Sequence, residues 1–121
     1  MKRSIAALAA VMVTGVAHAA APKWEWASKD GDLNTYVDVA NVHTVDSKPR
    51  LWSLISSPTR GSLLTLHEAD CSGRQLAALQ SQSFSGEMAK GELKRTWGRE
   101  APVYPAPGTL NETVLRLLCN F

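Results

Sequence analysis

Cysteine is nearly missing from the 121 residues: there are two, Cys71 and Cys119. At a separation of 48 positions they fit neither a CxxC redox couple nor a zinc knuckle. HExxH, GxSxG and phosphate-loop spacings are also absent, so the familiar routes to metal hydrolysis, serine nucleophiles and nucleotide binding have no support. The glycines of Ser85-Gly86 to Gly91 and of Trp97-Gly98 read as turns. Aromatic residues are few, and half of them are tryptophan: Trp24, Trp26, Trp52 and Trp97. In a small domain most of these are expected in the core, where each buries on the order of 200 Å², with one or two left for a binding face.

An excess of one charge sign is missing as well, once the N-terminus is set aside. Lys2-Arg3, the apolar run from Ile5 to Val16 and the small-x-small step Ala17-His18-Ala19 have the three parts of a secretory signal. The run is short of the roughly 20 apolar residues that span a bilayer. Residues 1–19 are therefore expected to be cleaved, leaving 20–121 as one domain with no membrane span. Taking Lys2 and Arg3 from the 13 basic residues leaves 11, against 11 acidic. A neutral domain lacks the basic footprint of nucleic-acid binding. No cysteine follows the cleavage step, so a lipid-modified N-terminus is not indicated.

Export changes the meaning of the cysteines, because an oxidising compartment pairs an even count. Only Cys71–Cys119 is available. Closing that loop restricts the unfolded chain by about 4 kcal/mol in the entropy model.

The mature chain alternates like sheet. Trp24 to Ala27 and Leu33 to Val39 form a hairpin about Asp30-Gly31, with Trp24 and Trp26 on one face. Asn41 to Ser47 reads as a loop, Arg50 to Ser56 as a strand ended by Ser57-Pro58, and Ser62 to Cys71 as the next strand. Arg74 to Phe84 tolerates helix by composition, but Cys71-Ser-Gly-Arg74 has the shape of a hairpin and the segment is assigned as strand. Ser85 to Glu92 is a loop, Leu93 to Trp97 a last strand, and Ala101 to Pro107 an extended connector. The C-terminus is a helix. Thr109 and Glu112 suit a capping box, and Leu110, Val114, Leu117, Leu118 and Phe121 recur on one face, with Asn111 and Arg116 away from it. The pattern is α+β: an antiparallel sheet of five or six strands with a C-terminal helix disulfide-tethered to one face. Exposed edges of such a sheet leave the oligomeric state open.

For chemistry, His43, His67, Glu68 and Asp70 are the acid-base or metal candidates. On a strand His67 and Glu68 point to opposite faces, while Glu68 and Asp70 share one, so the expectation is a non-catalytic domain without cofactor or metal. The candidate partner-binding residues are Lys90, Lys94, Arg95, Trp97 and Arg99, a basic cluster around an aromatic that suits a protein or acidic glycan partner. Glu87, Glu92 and Glu100 are interleaved, and a solvated, compensated face is the plain alternative.

Tyr36-Val37-Asp38, Arg50-Leu51-Trp52, Glu68-Ala69-Asp70-Cys71 and Pro107-Gly108-Thr109, in that order and spacing, resemble the surface-adhesin protein E-like domain of Gram-negative bacteria. The resemblance covers nearly all of the mature chain. It implies an antiparallel sheet whose C-terminal helix is held across one face by Cys71–Cys119, and a binding module similar to an adhesin that takes host matrix and serum proteins. The missing lipid-acceptor cysteine shifts the expected location from the cell surface toward the periplasm. The runner-up is a periplasmic inhibitor of an envelope-directed enzyme such as lysozyme, for which Ser85–Glu92 would be the projecting loop.

Overall fold

The computed structural model describes residues 20–120. The expected leader, 1–19, and Phe121 lie outside the described residues. Among the described residues, seven strands form one antiparallel sheet: β1 Trp24–Asp30, β2 Leu33–Asp38, β3 His43–Val45, β4 Lys48–Ser57, β5 Gly61–Asp70, β6 Gln75–Phe84 and β7 Leu93–Trp97. Six run in the order β1-β2-β4-β5-β6-β7, and β3 pairs with β4 beside β2. The Asn41–Ser47 segment, expected as loop, thus holds a short strand. Asp46 and Ser47 take positive φ of 50° and 65°, and two such residues make the tight turn that folds β3 back onto β4. The helix-tolerant segment after Arg74 is strand β6.

Turn chemistry closes the remaining hairpins. Gly31, at φ +64°, joins β1 to β2. Gly61, at φ +86°, lies where an added Cβ would stand 2.2 Å from the Phe84 carbonyl oxygen, so only glycine fits between β5 and the end of β6.

The one α-helix among the described residues is α1, Leu110–Cys119. It lies over one end of the sheet, where Val114, Leu115 and Leu118 pack with Val37, Leu51, Ala69 and Leu76. Burying each of those three helix side chains stabilises by about 1.5–3 kcal/mol, which explains why so short a helix holds. Leu117, expected on this face, is 52 % exposed. Leu115 joins the stripe and shifts its centre to Leu118, and Leu117 stands about 100° round the helix from there. The disulfide is formed, with Cα atoms of Cys71 and Cys119 5.5 Å apart. No helix of the described residues is long and apolar enough to cross a membrane.

At the helix start, Thr109 Oγ1 accepts from the Glu112 N–H at 3.3 Å, while Glu112 Oε1 accepts from the Gly108 N–H at 2.9 Å. The carboxylate reaches one residue further back than in a simple capping box, because the Thr109 N–H is already donated to Ala106 O. Thr109→Ala should cost about 1 kcal/mol, read as a shift of the urea midpoint, and Thr109→Ser should restore most of it.

None of the four tryptophans is fully buried, contrary to the expectation that most are core. Trp24, Trp52 and Trp97 are half-buried, and Trp26 is 58 % exposed, its Nε1–H donating to Asn34 Oδ1 at 3.1 Å. One ten-residue helix covers only part of one side of the sheet. Trp24, Trp26 and Trp97 fall on the outermost strands, and Trp52 pairs with Leu66 on the side away from the helix.

Candidate functional site

Beyond the end covered by α1, the helix side of the sheet is open and carries a trough in two parts. Strand pairing sets its floor. Ser53 faces Thr65, Ile55 faces Leu63, and Thr65 faces Ser81 on the same side of β4, β5 and β6. The inner part, about 280 Å³, lies against the start of α1, between Leu110 and Asn111 on one side and Trp97 and Glu100 on the other. The outer part, about 430 Å³, shares Ile55 and Leu63 with it and runs toward Arg60, Ser83 and Lys94.

The floor is held by paired polar groups. Ser53 Oγ and His67 Nε2 share a hydrogen bond at 2.8 Å, and Thr65 Oγ1 and Ser81 Oγ another at 3.1 Å. Burial pushes the imidazole of His67 down to about 4, because the charged ring would lose its hydration, so the residue is neutral at physiological pH. Ser53 is only 2 % exposed, and no carboxylate bonds to His67 among the described residues. This is a packed hydroxyl–imidazole pair without the acid that orients a catalytic histidine.

His67 and Glu68 do point to opposite sides. Glu68 lies away from the helix and is 7 % exposed. Arg50 Nη2 reaches its Oε2 at 2.8 Å, and Arg99 Nη2 reaches Oε1 at 3.2 Å. Burial works to raise this carboxyl, and hydrogen bonds from the two guanidinium groups more than offset it, holding Glu68 below the usual carboxylate range. The cluster fastens the chain after β7 to the centre of the sheet.

The five basic and aromatic candidates are therefore divided. Arg99 is committed to Glu68. Lys90 lies on the Ser85–Glu92 loop, which closes on itself and packs over the opposite side of the sheet. Met88 N–H donates to Ser56 Oγ at 3.1 Å, Ala89 N–H donates to Ser62 Oγ at 2.8 Å, and Ser62 Oγ donates to Gly86 O at 2.7 Å. The loop is fastened down rather than projecting. Lys94, Arg95 and Trp97 come together. Arg95 pairs with Ser83 and Leu93 with Phe84, so Lys94 is the extra residue of a β-bulge. The bulge breaks strict alternation and turns Lys94 toward the outer trough, on the side that Arg95 and Trp97 occupy. The Arg95 guanidinium lies 4.9 Å from the Trp97 ring centroid, a cation–π contact that braces the indole.

Sequence reading missed the trough floor and its outer charge. Arg60 there is ion-paired to Asp32, whose carboxylate also accepts from Ser57 Oγ at 2.7 Å and Thr59 Oγ1 at 3.1 Å. The Ser57 bond above all, then that of Arg60, lowers the Asp32 carboxyl to about 2. Nothing in a run of Ser, Thr and Leu marks these positions as a cleft, because each looks like ordinary strand.

A family model described as surface-adhesin protein E matches residues 24–120, from the first residue of β1 to just beyond α1. No curated protein and no solved structure matches the chain.

Proposed function

The chain belongs to the surface-adhesin protein E family, and from that premise we propose an exported, non-catalytic module that holds a component of host matrix or bacterial envelope against the helix side of its sheet. The family supports an adhesin-like surface protein that binds rather than catalyses. Residues 1–19 serve as the leader on this reading, and the mature chain acts in the periplasm or beyond it. The observation that carries the choice of surface is the bulge at Lys94. It gathers Lys94, Arg95 and Trp97 along an open trough, while the loop that an enzyme inhibitor would insert is packed on the other side.

Lys94 is 58 % exposed at its side chain, with Glu92 3.7 Å away, so the attraction it adds is screened by salt and acts chiefly on the rate of encounter. Binding of the mature protein to a basement-membrane coat and to a coat of envelope proteins tests the reading. Lys94→Glu with Arg95→Glu should weaken capture on one of the coats by about tenfold at low salt, and Lys90→Glu by less than about twofold. Equal loss from the two variants, or no loss from either, would place the binding surface elsewhere. Lysozyme activity should be unchanged by the protein.

A further inference from the structure

The inner trough is polar where a core would be apolar. At the neighbouring end of the same sheet side, Leu51, Ala69 and Leu76 fill the space under α1. Here Ser53, Thr65 and His67 stand instead, at 2 %, 8 % and 5 % exposure. Burying such groups is unfavourable unless they are bonded, and they are, Ser53 to His67 and Thr65 to Ser81. Each hydroxyl still has capacity for a further partner, since it offers one donor and two acceptor positions. Small side chains leave the space hollow.

Three further features select what fits there. The Trp97 ring forms one wall and is braced by Arg95. Glu100 and Asn111 stand at the rim, and among the described residues neither side chain has a hydrogen-bond or ion-pair partner. Their positions are nevertheless fixed, Glu100 by its N–H to Ala78 O at 2.9 Å and Asn111 by the first turn of α1. The volume, about 280 Å³, is at the lower limit of small-molecule sites and too small for a helix. Among the described residues of the lining, Glu100 carries the only formal charge, which disfavours phosphate, sulfate and carboxylate groups at this end.

The geometry points to a binding site for one neutral hexopyranose residue of a glycan, with a C–H face of the sugar on Trp97 and its hydroxyls bonded to Glu100, Asn111 and the hydroxyl floor. A sugar ring offers both faces of this chemistry, an apolar side for an indole and paired hydroxyls for a carboxylate and an amide. A chain leaving the site along the floor passes Lys94, so an acidic neighbouring residue is accommodated in the outer part. The inference deepens the binding function proposed above by naming the ligand class, and it rests on the same trough.

The test is a titration of the ¹⁵N-labelled mature protein with glucose, galactose, mannose, N-acetylglucosamine and N-acetylgalactosamine, each at up to roughly 50 mM, where a millimolar site is near saturation. At least one sugar should shift the amides around Ser53, Thr65, Trp97 and Asn111. Trp97→Ala and, separately, Glu100→Gln should each weaken that sugar by about tenfold. Glu100→Gln keeps the fold readable if the tryptophan variant is damaged. No shift with any of the five sugars overturns the inference, as does binding that both variants leave intact, or the same shifts produced by butylammonium as a simple cation. Comparing coat binding of the Lys94/Arg95 variant with the sugar titration separates the two proposals. Loss of coat binding in the Lys94/Arg95 variant without any sugar binding leaves the adhesive reading standing and removes this one. Sugar binding at Trp97 with coat binding untouched by Lys94/Arg95 reversal does the opposite.

Discussion

Replacing Cys71 and Cys119 together with serine should lower the unfolding free energy by about 4 kcal/mol, the loop-closure cost that a 48-residue crosslink removes from the unfolded chain. This is a large share of the 5–15 kcal/mol typical of a domain. The loss should appear in urea unfolding as a lower midpoint. The helix should suffer most, since α1 is only ten residues long and is otherwise held by three buried side chains. Amide exchange over 110–119 should quicken more than exchange in β4 and β5. Leu110 and Asn111 form one wall of the inner trough, so sugar and coat binding should weaken in the same variant. A midpoint equal to that of the parent protein would show that docking of Val114, Leu115 and Leu118 suffices without the crosslink.

Acid should destabilise the domain well before its carboxylates titrate. His67 takes up a proton near its ordinary value of 6.5 when unfolded, but only near about 4 when folded. Between these values the unfolded chain binds more protons, so stability falls as pH falls, by up to about 1.4 kcal/mol per pH unit and about 3 kcal/mol across the window. The contribution is complete above the unfolded value and gone below the folded one. Glu68, Asp70 and Asp32 have lowered folded values, and their contributions are likewise present above the unfolded value and lost as pH falls through the folded one. That loss begins near ordinary carboxylate values, so the slope between about pH 6.5 and 5 belongs to His67. His67→Gln, which can still bond to Ser53, should flatten it when stability is followed by denaturant titration at each pH. A variant with an unchanged slope would mean that the ring is not buried as a neutral group.

Several parts of this architecture were legible without coordinates, for local reasons. Asp30-Gly31 marks a turn because glycine readily takes the positive φ found at Gly31, and alternation marks β2, β4 and β5 because one side of each strand is buried. Thr109, Glu112, Val114 and Leu118 announce a capped, amphipathic helix. An even cysteine count in a chain with a leader-like start anticipates the Cys71–Cys119 bond. Leu117 and the tryptophans were misplaced, because periodicity says which residues share a face and not how much of that face a neighbour covers.

The binding candidates divide along the same line. Lys90, Lys94, Arg95, Trp97 and Arg99 are one cluster on paper, yet a single extra residue at Lys94 keeps it with Arg95 and Trp97, whereas Arg99 turns to Glu68 on the opposite side. A one-residue bulge or slip inverts every later side of a strand, and its position depends on the partner strand. The fold class, the turn at Gly31, the helix with its cap and the crosslink follow from nearest-neighbour chemistry or from the count of cysteines. Which side each charge faces, and the meeting of Ser53, Thr65, His67, Trp97, Glu100 and Asn111 around one hollow, depend instead on pairing between strands and on docking of a helix far along the chain.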